Sequence, residues 1–325
     1  MNIERMKRSF CMPRTIQGKY VTKASQTFQA GDVSWQKGNY DEARQNYEKA
    51  ASLYHEDNDA EGEAFVLTRL GELEISLDDF NRAEKSLKAA CELVKNLPDG
   101  QNTYADALIK LSKMETARGE TEQALKIIRD ALIAASQINS RDLQGDAYDH
   151  EAYIYLLRGQ EKDALQAYAK AAEMFRKDGT SLKEASVLRA MARIEMKNRN
   201  YDTAHDILER CRDLYRENGD LLGEASALSA IGSLRYVIRD IANARKALMK
   251  SVYLYGKVAH HFAEAEALLY LARVEAYNKE QGDFELAKAH YKRSIELFDF
   301  LQNETMKKAV LEEYHNFLNR TACDK

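Results

Sequence analysis

Apolar positions recur every three or four residues along most of this chain. Stretches such as AFVLTRLGELEISL before Asp78 and ASALSAIGSLRYVI before Arg239 therefore read as helices with one buried stripe. The helices come in pairs. Within a pair the break is a short polar turn: Lys37-Gly38-Asn39, Asp78-Asp79, Arg118-Gly119-Glu120, Arg158-Gly159-Gln160, Asn198-Arg199-Asn200 or Gln281-Gly282-Asp283. Gly or Asn there supplies the left-handed residue that closes the first helix, and the acidic residues favour the start of the second. Longer polar links follow each pair, among them HEDNDAEGE, LPDGQNTY, RKDGTSLKE and RENGDLLGE. The pattern predicts antiparallel helical hairpins, helix A then helix B.

The hairpins repeat. An alanine early in helix B recurs at Ala43, Ala83, Ala124, Ala164, Ala204, Ala244 and Ala287, at intervals of 40 or 41 residues with a last interval of 43. About twelve residues before each lies a small residue of helix A: Gly31, Gly71, Ser112, Ala152, Ala192, Gly232 and Ala272. Glycine inside a helix costs roughly 1 kcal/mol against alanine, so its return in register implies close helix approach. Helix B carries a large residue four places after its alanine (Tyr47, Leu87, Tyr168, Leu208), a small one three places later, and another large one beyond, such as Tyr54, Phe175 and Phe298. This scaffold accounts for most of the 18 tyrosines.

The set resembles the tetratricopeptide repeat, in an extended form whose period exceeds the usual 34 residues. It is similar to the forty-residue variety of rapsyn, the kinesin light chains and several bacterial regulators, and the resemblance covers about residues 24–303. It implies an all-α, right-handed superhelical TPR-like solenoid of about seven antiparallel hairpins. Residues 1–20 are expected to form a basic flexible tail, 21–303 the solenoid, 304–320 a C-terminal capping helix, and 321–325 a short end. Ser112 departs from the family's usual Gly or Ala, and no repeat ends with its common proline.

Composition fits this reading. Two prolines and 15 glycines in 325 residues are few for a strand-rich fold. No run of 18 apolar residues is present to span a membrane, and the first residues lack the apolar core of a signal peptide. The four cysteines are scattered, with no CxxC, so Cys91 and Cys211 read as buried thiols and the chain as cytoplasmic. A net charge of -4 argues against general nucleic-acid binding.

Helix A side chains turned away from helix B would line a ligand groove. By register these include Trp35, Glu72, Lys113, Asp149, Tyr153, Arg189, Arg193, Lys197, Tyr236, Arg273 and Tyr277. The expected groove is acidic early, through Asp32, Glu72, Asp146 and Asp149, and basic later. Arg189, Arg193 and Lys197 stand at i, i+4 and i+8, where like charges repel by a few tenths of a kcal/mol per pair. That cost points to an acidic protein or peptide partner. The asparagines of the family's terminal-carboxylate clamp are missing. No HExxH, GxxxxGK or GxGxxG stands in the chain, and Asp146, Asp149 and His150 read as a helical surface cluster. The chain is thus expected to be a non-catalytic interaction scaffold or adaptor without cofactor or metal, with self-association open. The alternative is a regulator that binds a short signalling peptide and controls a partner protein.

Overall fold

The computed structural model describes residues 22–277 and 283–323. Among these it contains fifteen α-helices and no strand. Four hairpins come first: α1 (Lys23–Gln36) with α2 (Tyr40–Glu56), α3 (Ala60–Ser76) with α4 (Phe80–Val94), α5 (Gln101–Ala117) with α6 (Thr121–Gln137), and α7 (Arg141–Leu157) with α8 (Glu161–Asp178). Three more follow: α9 (Ser181–Lys197) with α10 (Tyr201–Glu217), α11 (Leu221–Val237) with α12 (Ile241–Lys257), and α13 (His261–Glu275) with α14 (Phe284–Phe300). A final helix, α15 (Glu304–Cys323), closes the order. The chain divides into two compact units between Asp178 and Gly179.

The small-residue ladder does what its period implies. A Cβ added at Gly31 would meet the Tyr47 ring at 2.7 Å, one at Gly71 would meet Leu87 at 2.6 Å, and one at Gly232 would meet Leu248 at 2.5 Å. Helix A therefore lies directly against the large residue of its own helix B. Ser112 fits the same place because its hydroxyl donates to the Ala124 carbonyl at 2.9 Å. The ladder alanines of helix B are fully buried. The small residue seven places after each is also buried, and the two units use it differently. In the first unit it is Ala50, Ala90, Ala131 or Ala171. In the second, Cys211, Ser251 and Ser294 each donate across the hairpin to the carbonyls of Ala185, Ala225 and Ala265, at 3.2, 2.8 and 2.8 Å.

The turns within hairpins close on left-handed residues, at Gly119 (φ 88°) as read from the sequence but at Arg199 (φ 62°) rather than at either flanking asparagine. The links between hairpins are shorter than their polar sequences suggest. Residues 57–59, 138–140 and 218–220 suffice, closed by Asn58, Asn139 and Gly219 at positive φ. The residues that follow are already the first turns of helix A, and Asp59 and Asp220 cap them by accepting the Gly62 and Gly223 amides at 2.8 and 3.0 Å.

The last helix begins at Glu304 and packs on α14, placing Val310 and Phe317 in one buried cluster with Leu269, Tyr291 and Phe298. Cys91 and Cys211 are buried, and burial pushes both thiols up to about 12, which leaves them inert. The tail expected over residues 1–20 lies outside the described residues. Among the described residues, no helix is long and apolar enough to cross a membrane.

Candidate functional site

The A helices of the first unit stand side by side, α3 against α5 and α5 against α7. One place after the ladder residue they carry Asp32, Glu72 and Lys113; two places before it, the next helix carries Arg69, Lys110 and His150. These two rows meet. Arg69 reaches Asp32 at 3.4 Å and also pairs with Glu72, while Lys110 holds Glu72 at 2.8 Å and lies 4.0 Å from Asp106. The Tyr47 hydroxyl donates to Asp32 from beneath. Burial alone would raise the Glu72 carboxyl; the Lys110 ammonium and the Arg69 guanidinium outweigh it and hold it below the usual carboxylate range. Trp35 belongs to the same array, with Arg69 stacked 4.9 Å over its ring and Tyr47 edge-on.

Further along, Lys113 touches solvent yet is crowded by protein. That crowding, with the Lys110 ammonium nearby, lowers its pKa. His150 is buried behind it. Thr116 gives its hydroxyl hydrogen to the Ser112 carbonyl and so accepts from His150 Nε2 at 3.1 Å. Burial first, and Lys113 second, push the His150 imidazole down to about 4. Tyr153 stacks on His150 and is exposed; Asp149 is half-buried on the same helix. At Asp32 and Glu72 the early face is therefore not acidic: Arg69 and Lys110 of the neighbouring helices neutralise these two carboxylates. Arg69 and Lys110 were absent from the sequence reading, although two cations and a histidine at one register position in successive repeats carried the signal.

The second unit is different. Arg189, Arg193 and Lys197 lie exposed along α9. Arg189 donates to the Ser226 hydroxyl at 3.4 Å, and neither it nor Arg193 has a carboxylate partner among the described residues. On α11 the facing row is Ser226, Ser229, Ser233 and Tyr236. Tyr236 meets Tyr277 edge-on at 6.0 Å, and the Arg239 guanidinium lies 4.6 Å over Tyr277. Arg273 is engaged from the last helix: its guanidinium makes two bonds of 2.7 Å to the Glu313 carboxylate, which also accepts from Tyr291 at 2.9 Å. The structure thus groups Arg189, Arg193 and Lys197 on one helix and Tyr236 with Tyr277, and ties Arg273 to Glu313. Among the described residues, no group of three or more His, Cys, Asp and Glu side chains is placed to hold a metal ion.

The comparisons with known proteins agree with this architecture. No curated protein matches the chain. Among solved structures, the signal transduction ATPase with numerous domains from Pyrococcus horikoshii, which has a tetratricopeptide repeat sensor, is similar over 92% of this chain. Its TM-score is 0.72 at 16% identity, and the chain spans 46% of that protein's length. BtubC from P. vanneervenii matches over 69% of this chain and 91% of its own, with TM-score 0.61 and 19% identity. A Rap protein complexed with competence and sporulation factor matches over 85% of this chain and 80% of its own, with TM-score 0.55 and 15% identity. These likenesses establish the fold, an all-α TPR-like solenoid. In sequence, residues 267–299 match a tetratricopeptide repeat, and residues 14–220, more than half of the chain, match the MalT-like TPR region. The chain belongs to the MalT-like TPR family.

Proposed function

We propose that this chain is a non-catalytic protein-interaction scaffold that takes an acidic peptide segment on the A-helix face of its second unit. One observation supports the reading: Arg189 and Arg193, exposed a turn apart on α9, have no carboxylate partner among the described residues. Two like charges at that spacing repel, and an incoming Asp or Glu side chain turns the repulsion into charge-assisted hydrogen bonds. Lys197 extends the row by one more turn. The serines of α11 offer hydroxyls to a peptide backbone, and the edge-to-face Tyr236–Tyr277 pair offers aromatic surface to a side chain.

A second reading shares the same ligand class. Its occupant is a short signalling peptide and its output control of a partner protein; a Rap protein of similar fold was solved in complex with competence and sporulation factor.

Fluorescence anisotropy with a labelled acidic octapeptide, read against its lysine-substituted counterpart, tests the proposal. Binding should be confined to the acidic peptide, fall as salt rises, and disappear in Arg189→Glu with Arg193→Glu while helicity by circular dichroism is retained. Equal binding by the double variant would sink the reading. Should the peptide bind, a change in which proteins co-purify with the chain, on adding that peptide, separates the regulator from the plain scaffold.

A further inference from the structure

Two side chains break the repeat, and they break it in one place. Eight residues after the helix B alanine, six repeats carry Ala51, Cys91, Leu132, Ala172, Val252 and Ile295; the fifth carries Arg212. Three residues after the small residue of helix A, four repeats carry Glu74, Glu115, Glu195 and Glu275; the sixth carries Arg235. A charge at a packing position and a reversal of sign are each unfavourable for a scaffold, so their convergence calls for a cause outside it.

Both residues line a cleft of about 360 Å3 between α10 and α12, floored by Leu228, Ile231 and Ala247. Five cations surround it, Arg212, Arg216, Arg235, Lys246 and Lys250, against one lining carboxylate, Glu209. Arg212 pairs with Glu209 and with Asp213 at 2.8 Å, Arg216 with Asp213 at 3.1 Å, Arg235 with Asp240 at 3.0 Å, and Lys250 with Glu224 at 2.6 Å. Lys246 has no such partner among the described residues. A second sign of an unfinished site sits behind Arg212. Arg235 donates to His205 Nε2 at 2.7 Å, which puts the imidazole hydrogen on Nδ1. That Nδ1 is buried without a hydrogen-bond partner, and Glu209 Oε1 stands 4.0 Å away. An anion that draws Arg212 off Glu209 frees this carboxylate to close on His205.

We propose that the cleft binds a small phosphate monoester with an apolar body, its phosphate on the cationic rim and its body on Leu228 and Ile231. The guanidinium fork suits phosphate oxygens, Lys246 adds a rim cation that pairs with no carboxylate among the described residues, and the volume falls within the range of small-molecule sites. This site is on the helix B side of α11 and stands apart from the Arg189–Arg193 face.

Phenyl phosphate, titrated into the full chain labelled at Leu and Ile methyl groups, provides the probe. The Leu228 and Ile231 resonances should shift saturably, and inorganic phosphate should bind at least about tenfold more weakly for want of the apolar contact. Arg212→Leu, which restores the residue class of the other repeats, and Lys246→Glu, at an exposed position, should each weaken phenyl phosphate about tenfold or more. Arg189→Glu with Arg193→Glu should leave it unchanged, so this site and the peptide face fail or survive separately. Absence of a saturable shift, equal affinity for inorganic phosphate, or unchanged binding in Lys246→Glu overturns the proposal. The Lys246 variant decides the matter even if Arg212→Leu alters the fold.

Discussion

In the first unit, the place after the ladder residue and the place two before it on the next A helix hold Asp32 with Arg69, Glu72 with Lys110, and Lys113 with His150. In the second unit the same two places hold Arg193 and then Ala230, so the step has one charge and no answer to it. The backbone geometry is shared; the side chains are not. Where both rows are charged, the repeat uses its A-helix face to hold neighbouring hairpins together. Where one row is small and uncharged, the remaining cation is left to water or to a ligand. The helix B interior shows the reverse division. There the second unit uses hydrogen-bonding Ser251, Ser294 and Cys211 where the first uses alanine. At these positions the second unit makes hydrogen bonds inside its hairpins, and the first makes ion pairs between its hairpins.

The sharpest difference between the units should appear in acid. The unfolded His150 titrates near 6.5 and the folded one at about 4, so between those values only the unfolded chain carries the proton. Stability from this group is complete above pH 6.5 and is lost as pH falls towards 4, by up to about 3 kcal/mol. Denaturant titrations at pH 7 and pH 5 should show a larger loss for the native chain than for His150→Phe. Equal losses would mean that His150 does not couple the first unit to pH.

Lys110→Met comes next. It removes the ammonium that holds Glu72 and leaves the carboxylate half-buried with Arg69 as its ion-pair partner and Lys113 farther off. Because Glu72 keeps some solvent contact, the expected cost is about 1–2 kcal/mol rather than that of a fully buried pair. A smaller cost follows for Ser251→Ala, about 1 kcal/mol for the lost bond to the Ala225 carbonyl. Its mirror, Ala131→Ser, should gain less than that, since the first unit is packed around alanine. Should the two substitutions prove symmetric, the inner bond is incidental to the second unit.

The helical pairs and the close-packed ladder were legible because each depends on residues a fixed distance apart in one hairpin. Gly71 against Leu87 is a contact between two members of the same forty-residue period. The ion pairs were harder to see, since Arg69 answers Asp32 across 37 residues, and only a comparison of neighbouring repeats aligns the two. Glu313 was beyond that reach because the last helix has no counterpart in the repeat, so nothing in the period assigns it to Arg273. The links read too long for a different reason: Glu61 and Glu63, polar and loop-like in sequence, are the first turn of α3.

The smallest expected effect is the one that decides the comparison. Arg193→Ala removes an exposed side chain with no partner among the described residues, so it should change stability by no more than about 0.5 kcal/mol. It also removes repulsion from Arg189, worth a few tenths of a kcal/mol. A melting curve indistinguishable from the native one, beside a clear loss in Lys110→Met, would mean that the same helix face is structural in one unit and spare in the other. A loss of 1 kcal/mol or more in Arg193→Ala would instead place Arg193 within the scaffold, and the acidic-peptide reading would lose the observation on which it stands.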